Sequence, residues 1–262
     1  MRRADDAARL DAAQDAVANS GVKGMIPIAD AAGTGTARPF LDYVISTLAD
    51  AGIVEVILVL GPEHQAVRDY YTHQAPPTRV RVRFAEQAAP IGTANAVVAA
   101  ATVVGDEPFL VLNADNFYPP AALAALVHSS GAATIAFDRD ALVRDGNIDR
   151  ERVRAFAVLD IDADGHLRQI IEKPGDRIDL DSDAARWVGM NCWAVTPALV
   201  DACRRVPRST RGEYELPEAV GLALAEGLEV HAERMALPVL DLSQRADIPA
   251  VASRLAAVEV RP

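Results

Sequence analysis

Three short stretches put polar side chains at the ends of apolar runs, where open α/β sheets bind ligands. The first is "AEQAAPIGTANAV", residues 85–97. Gln87 carries an amide that can both donate to and accept from a pyrimidine edge. Gly92 and Thr93 then open a helical pattern whose free N–H groups can approach a base or a phosphate. The same residues also read as an ordinary strand–loop–helix junction. The second stretch, "FLVLNADNFY" (109–118), sets Asp115 just past an apolar run. A carboxylate there is a cap or turn residue, or a ligand for Mg2+, which takes one or two carboxylates plus phosphate oxygens. The third, "IIEKP" (170–174), offers Glu172 to sugar hydroxyls and Lys173 to a phosphate. Its plainer reading is a solvated charge pair worth little.

The elements that must carry these groups follow from periodicity. Residues 4–19 read as a helix closed by "NSG". "RPFLDYVISTLADAG" places Phe40, Val44, Ile45 and Leu48 on one helical face, and Gly52 stops it. "VEVILVLG" and "PFLVLNAD" have the near-continuous apolar character of strands covered on both sides. "RVRVRFA" alternates basic and apolar residues, so one of its faces is wet. Later, "RAFAVLDIDADGHLRQIIEKP" reads as two strands joined at "DADG", and "WVGMNCWAVTP" as another strand. "PALVDACRRV" and "YELPEAVGLALAEG" read as helices, and the chain closes on a short strand and a helix. Alternating β and α units to about residue 138 imply a Rossmann-like α/β fold, with a mostly parallel sheet flanked by helices. The later hairpin adds a small antiparallel part. A single domain of residues 1–262 is expected, its two halves meeting at about residue 140.

The totals exclude several classes of function. With 26 Lys and Arg against 37 Asp and Glu, the net charge is −11, which argues against non-specific nucleic-acid or anionic-lipid binding. No apolar run approaches the ~20 residues that span a bilayer. Cys192 and Cys203 have neither metal-type spacing nor a disulfide framework, which fits a reducing compartment. A soluble cytoplasmic protein is the expectation, with a homo-oligomer left open. Nothing resembles an activated nucleophile: Cys192 sits in the strand-like "GMNCWAV" as a packing residue, and the five histidines are scattered.

In order and spacing these stretches resemble the sugar nucleotidyltransferase family, from Lys23 to about Leu255. "KGMIPI…RPFLDYVISTLADAGIVEVILVLG" is similar to its lysine motif, the following helix and the second strand. "Q…GTANAV" resembles its base-reading loop, "NADNFY" its metal-aspartate motif and "IIEKP" its sugar-phosphate motif. "RGEYELPEAV" and "VLDLSQRADI" resemble two late elements of the family. The resemblance implies that Lys23 binds phosphate oxygens and that Gln87, Gly92 and Thr93 bind the nucleotide. It further implies that Asp115 and Asp241 share Mg2+, and that Ala157, Glu172, Lys173 and Asn191 line the sugar-phosphate site. The implied reaction joins an NTP, UTP or dTTP given Gln87, to a sugar 1-phosphate and releases pyrophosphate. Three other readings stand beside it: a non-catalytic nucleotide-sugar-binding or regulatory relative, an N-terminally truncated inactive form, and a glycosyltransferase. The last wants a D-x-D motif after a strand, and "DID" and "DAD" at 160–164 fall in the hairpin turn.

The chain departs from the family pattern in three places. Ala157 stands where relatives have a glycine, adding a methyl group to the sugar site. Ala114 precedes Asp115 where glycine is more usual. Third, the family opens on an apolar strand running into an A-x-G-x-G-T-R phosphate loop, and here "AAGTGTARP" (31–39) follows Lys23 instead of preceding it. Removing "DAAGTGTA" leaves a continuous family sequence, so the stretch reads as an insertion in a surface loop, with a rearranged phosphate loop as the alternative. "MRR" aligns with residues that follow the family's loop, and the expectation is that the strand and loop are encoded ahead of Met1.

Overall fold

The computed structural model describes residues 22–28, 37–172, 174–175, 178–179 and 181–262. The expected helix at 4–19 and most of "AAGTGTARP" lie outside them. The strands are β1 (Pro27–Ile28), β2 (Arg38–Pro39), β3 (Glu55–Leu60), β4 (Arg81–Glu86), β5 (Phe109–Leu112), β6 (Asn116–Phe117), β7 (Ala133–Asp138), β8 (Ala157–Ile161), β9 (Leu167–Ile171), β10 (Trp187–Val195), β11 (His231–Met235) and β12 (Leu240–Asp241). The helices are α1 (Phe40–Asp50), α2 (Gln65–Asp69), α3 (Thr93–Val104), α4 (Pro120–Val127), α5 (Arg139–Asp145), α6 (Arg150–Val153), α7 (Pro197–Arg205), α8 (Leu216–Ala225) and α9 (Asp247–Leu255).

Six strands form the main sheet in the order β11-β7-β10-β8-β9, with β5 also on β10. Strand β10 is antiparallel to β5, β7 and β8, and β11 is parallel to β7. Hence β5, β7, β8 and β11 point one way, while β10 and β9 oppose them. The β8–β9 hairpin is the antiparallel addition expected from "DADG", and Gly165 supplies its positive φ of 87°.

Period-two alternation sorts the side chains of this sheet between two helical layers. On β10, Val188, Met190, Cys192 and Ala194 join the core under α1, α4 and α9, together with Ile135 and Phe137 of β7. Trp193 and Val195 face the opposite core, under α3, α7 and α8. Cys192 and Cys203 are both buried, and burial pushes the Cys203 thiol up to about 12 and the Cys192 thiol further. Both thiols are packing groups.

Strands β3 and β4 pair in parallel as a separate two-stranded sheet, Glu55 opposite Arg81 through Leu60 opposite Glu86. Side chains of β3 and β5 contribute to the same core, and α3 packs against both β3 and β4. Among the described residues, however, β3 pairs only with β4, and β5 only with β10. Both were expected to be covered strands. Instead only Leu58 of β3 is buried, and all four residues of β5 are partly exposed. An open edge on each strand accounts for the difference, because a neighbouring strand covers side-chain flanks as well as backbone.

Candidate active site

Lys23 opens a 3-10 turn, Lys23–Met25, and its Nζ lies 2.8 Å from Asp115 Oδ2. Asp115 occupies the short connection between β5 and β6. Strand β6 pairs antiparallel with β12, placing Asp241 opposite Asn116, and Leu242 N–H donates to Asp115 O at 2.8 Å. That register brings together two aspartates that are far apart in the sequence, at positions 115 and 241. Burial raises the Asp241 carboxyl above its ordinary range; Ser243 and Arg152 oppose the shift, and the charge of Asp115 adds to it.

The donor set fits a hard divalent cation. Two carboxylates, Asp115 just before β6 and Asp241 on its partner β12, could supply oxygen ligands. Among the described residues no group of three His, Cys, Asp or Glu side chains could cage an ion. Mg2+ bound here would therefore complete its shell with water and phosphate oxygens, as it commonly does.

The base-reading stretch lies at the end of β4. Gln87 N–H donates to Leu60 O at 2.9 Å, and its Nε2 donates to Gly92 O at 2.9 Å and Asn95 Oδ1 at 3.1 Å. With the amide nitrogen committed inside the loop, Oε1 is the group left to meet a ligand. Gly92 has φ 120°, and a Cβ there would fall 2.2 Å from Tyr214 O. This close approach lets Ala94 N–H donate to Tyr214 O and Tyr214 N–H to Ile91 O, each within 2.9 Å. Thr93 Oγ1 accepts from Leu216 N–H at 2.9 Å, so its hydroxyl caps the start of α8. The base loop and the "RGEYEL" segment are thus laced together.

Pro217 of α8 continues into an open cleft shared with Ala157, Glu172, Gly189, Asn191 and Trp193. Three of the four expected sugar-phosphate residues meet there, and Lys173 lies outside the described residues. Asn191 has φ 52°, a conformation asparagine tolerates better than most, at the register shift of β10 against β7. Tyr118 holds this bulge: its buried hydroxyl donates to Met190 O at 2.6 Å, and Asn113 N–H donates to it at 3.3 Å. The metal-aspartate loop and the sugar cleft therefore share one tyrosine.

Several supporting residues were not foreseen. Asn147 accepts from Asp241 N–H at 2.8 Å and donates to Asp241 O at 2.7 Å. Arg152 contacts Asp241 Oδ2 at 3.1 Å and Asp247 Oδ1 at 2.5 Å. Arg211 pairs with the buried Glu215 at 2.7 Å. The arginines sit in charge-rich segments with no spacing to mark them.

A family model described as "Nucleotidyl transferase" matches residues 26–234. The chain belongs to the nucleotidyl transferase family. It is 27% identical over 218 residues to the low-salt glycan biosynthesis nucleotidyltransferase Agl11 of Haloferax volcanii, covering 82% of this chain and 54% of that one. It is 29% identical over 204 residues to a glucose-1-phosphate thymidylyltransferase of Streptomyces antibioticus, covering 74% and 51%. The chain thus spans about half the length of these two curated relatives. A UTP-bound UGPase from Acinetobacter baumannii has the same fold, with a TM-score of 0.71 at 18% identity over 91% of this chain and 87% of that one.

Proposed function

We propose that this nucleotidyl transferase family member moves a nucleotidyl group from UTP or dTTP to a sugar 1-phosphate. The observation that carries this reading is the convergence of Lys23, Asp115 and Asp241 beside a cleft holding Glu172 and Asn191. A sugar phosphate oxygen attacks the α-phosphorus in line, one P–O bond forms, and the bond to the β-phosphate oxygen breaks to release pyrophosphate. Such chemistry needs positioning and charge neutralisation and no protein nucleophile. Lys23 exchanges its carboxylate partner for phosphate oxygens and offsets their charge. Asp115 and Asp241 would hold Mg2+, which when bound neutralises phosphate charge and orients the triphosphate. Gln87 Oε1 accepts from the imide N–H that uracil and thymine share, and which cytosine lacks. Glu172 accepts from sugar hydroxyls, and Lys173 pairs with the sugar phosphate. The nucleotide is bound by the half of the chain up to about residue 140 and the sugar phosphate by the rest, in a cytoplasmic setting.

The thymidylyltransferase relative and the UTP-bound fold neighbour support a pyrimidine nucleotide. The test is pyrophosphate release with UTP, dTTP, CTP, ATP and GTP, each with a panel of sugar 1-phosphates and Mg2+. Release only with UTP or dTTP supports the reading. A second reading, a nucleotide-sugar-binding protein without turnover, is favoured by the edges that β3 and β5 leave unpaired among the described residues. The same assay, run beside a titration with UDP-sugars, separates the two: tight UDP-sugar binding with no pyrophosphate release favours the binding protein.

A further inference from the structure

Asp241 is held on three sides. Asn147 brackets its backbone, and Ser243 N–H donates to its Oδ1 at 2.6 Å. Arg152, itself largely buried, closes on the remaining oxygen: its Nη2 stands 3.1 Å from Oδ2. That nitrogen makes no aligned hydrogen bond, so the contact is one of charge and leaves the Oδ2 lone pairs uncommitted. The other arm of the fork, Nη1, donates to Asp247 Oδ1 at 2.5 Å, and Asp247 Oδ2 in turn accepts from Gln244 N–H at 2.7 Å.

We propose that Arg152 is a positioning residue for the divalent cation, acting through Asp241. The proposal rests on the reading of Asp115 and Asp241 as the cation pair. Two features give Arg152 this role. First, it orients Asp241 without consuming Oδ2, and a carboxylate held in place by its neighbours binds a metal better than one that must be ordered on arrival. Second, Asp247 balances the guanidinium charge, so Arg152 does not cancel the negative charge that attracts the cation. Lysine could not serve both carboxylates in the same way, because its ammonium is a point charge and not a planar fork. Arg152 also lies in the segment leading into β8, which lines the sugar cleft, so one short stretch supports both halves of the site.

The test is Mn2+ titration of the purified protein, with free Mn2+ read by electron paramagnetic resonance, so that no turnover is required. The proteins compared are the native chain, Asp115→Asn, Arg152→Lys and the double variant Arg152→Met with Asp247→Asn. The double variant leaves the formal net charge of the Arg152, Asp241 and Asp247 group unchanged, and circular dichroism reports whether it folds. Native protein is expected to bind Mn2+ and Asp115→Asn to lose that binding. The folded double variant is expected to bind about 10–100-fold more weakly, with Arg152→Lys between it and the native chain. Unchanged affinity in Arg152→Lys and in the folded double variant overturns the proposal while leaving the cation pair intact. If the double variant does not fold, Arg152→Lys decides alone: native affinity there overturns the proposal. Absence of Mn2+ binding to the native chain, or binding insensitive to Asp115→Asn, overturns the cation pair and the proposal with it.

Discussion

Lys23 Nζ lies 2.8 Å from Asp115 Oδ2, so the lysine expected to meet phosphate and the aspartate expected to meet a cation are partners of each other. The two side chains are 24% and 25% exposed, and a pair so placed contributes no more than about 1 kcal/mol to stability. On the proposed reading its value is functional. Lys23→Met is expected to lower pyrophosphate release by roughly 10²–10³-fold, the scale of losing one charge-stabilising donor. The melting temperature should barely move. A large drop in melting temperature with activity retained would reassign the pair to structure.

Gly92 has no room for a side chain. At φ 120°, with Tyr214 O 2.2 Å from an added Cβ, Gly92→Ala combines backbone strain with a backbone clash. The expected cost is roughly 2–4 kcal/mol in urea unfolding. Weaker UTP binding should accompany it, because the base loop and the segment before α8 must separate. An unfolding midpoint equal to that of the native chain would show that the loop rearranges freely.

Gln87 is expected to select by what its oxygen accepts. UTP and dTTP should bind with similar affinity and CTP about tenfold or more weakly, the value of roughly one unmatched hydrogen bond. Gln87→Glu removes the donors to Gly92 O and Asn95 Oδ1, so it should weaken UTP binding and loosen the loop together. Calorimetric titration with the three nucleotides checks this, and equal binding of CTP and UTP would remove Gln87 from base recognition.

Asp138 caps α5, accepting from Ala141 N–H at 2.9 Å and pairing with Arg186 at 2.8 Å. Burial pushes its carboxyl up, but these partners outweigh burial and hold it below the ordinary range. A carboxyl lowered in the fold contributes stability that is complete above its unfolded pKa, about 4, and is lost as pH falls through the folded value. Asp138→Ala should cost roughly 1–2 kcal/mol at pH 7, since the Arg186 side of the pair is half exposed and screened. The penalty should shrink as the pH is taken below 4. A penalty independent of pH between 7 and 3 would mean that the shift contributes nothing to stability.

Much of the site was legible in residue types and order. Gln87, Gly92, Asp115, Glu172 and Asp241 stand at ends of strands or helices, where local pattern and turn chemistry mark a position. Arg152 was not legible: its partner Asp247 is 95 positions away, and charged side chains on short helices are usually solvated. Tyr118 read as part of an aspartate motif, yet its hydroxyl shapes the sugar cleft through backbone carbonyls that no pattern advertises.

By itself the sequence determined the α/β alternation, the two helical layers and the order of the family's motifs, because burial of one face imposes a period on each element. Tertiary structure alone decided that β12 lies beside β6, bringing Asp241 to Asp115, and that among the described residues β3 pairs only with β4 and β5 only with β10. Pairing between distant strands depends on register across the whole sheet, and a local period of two is the same whichever neighbour a strand finds.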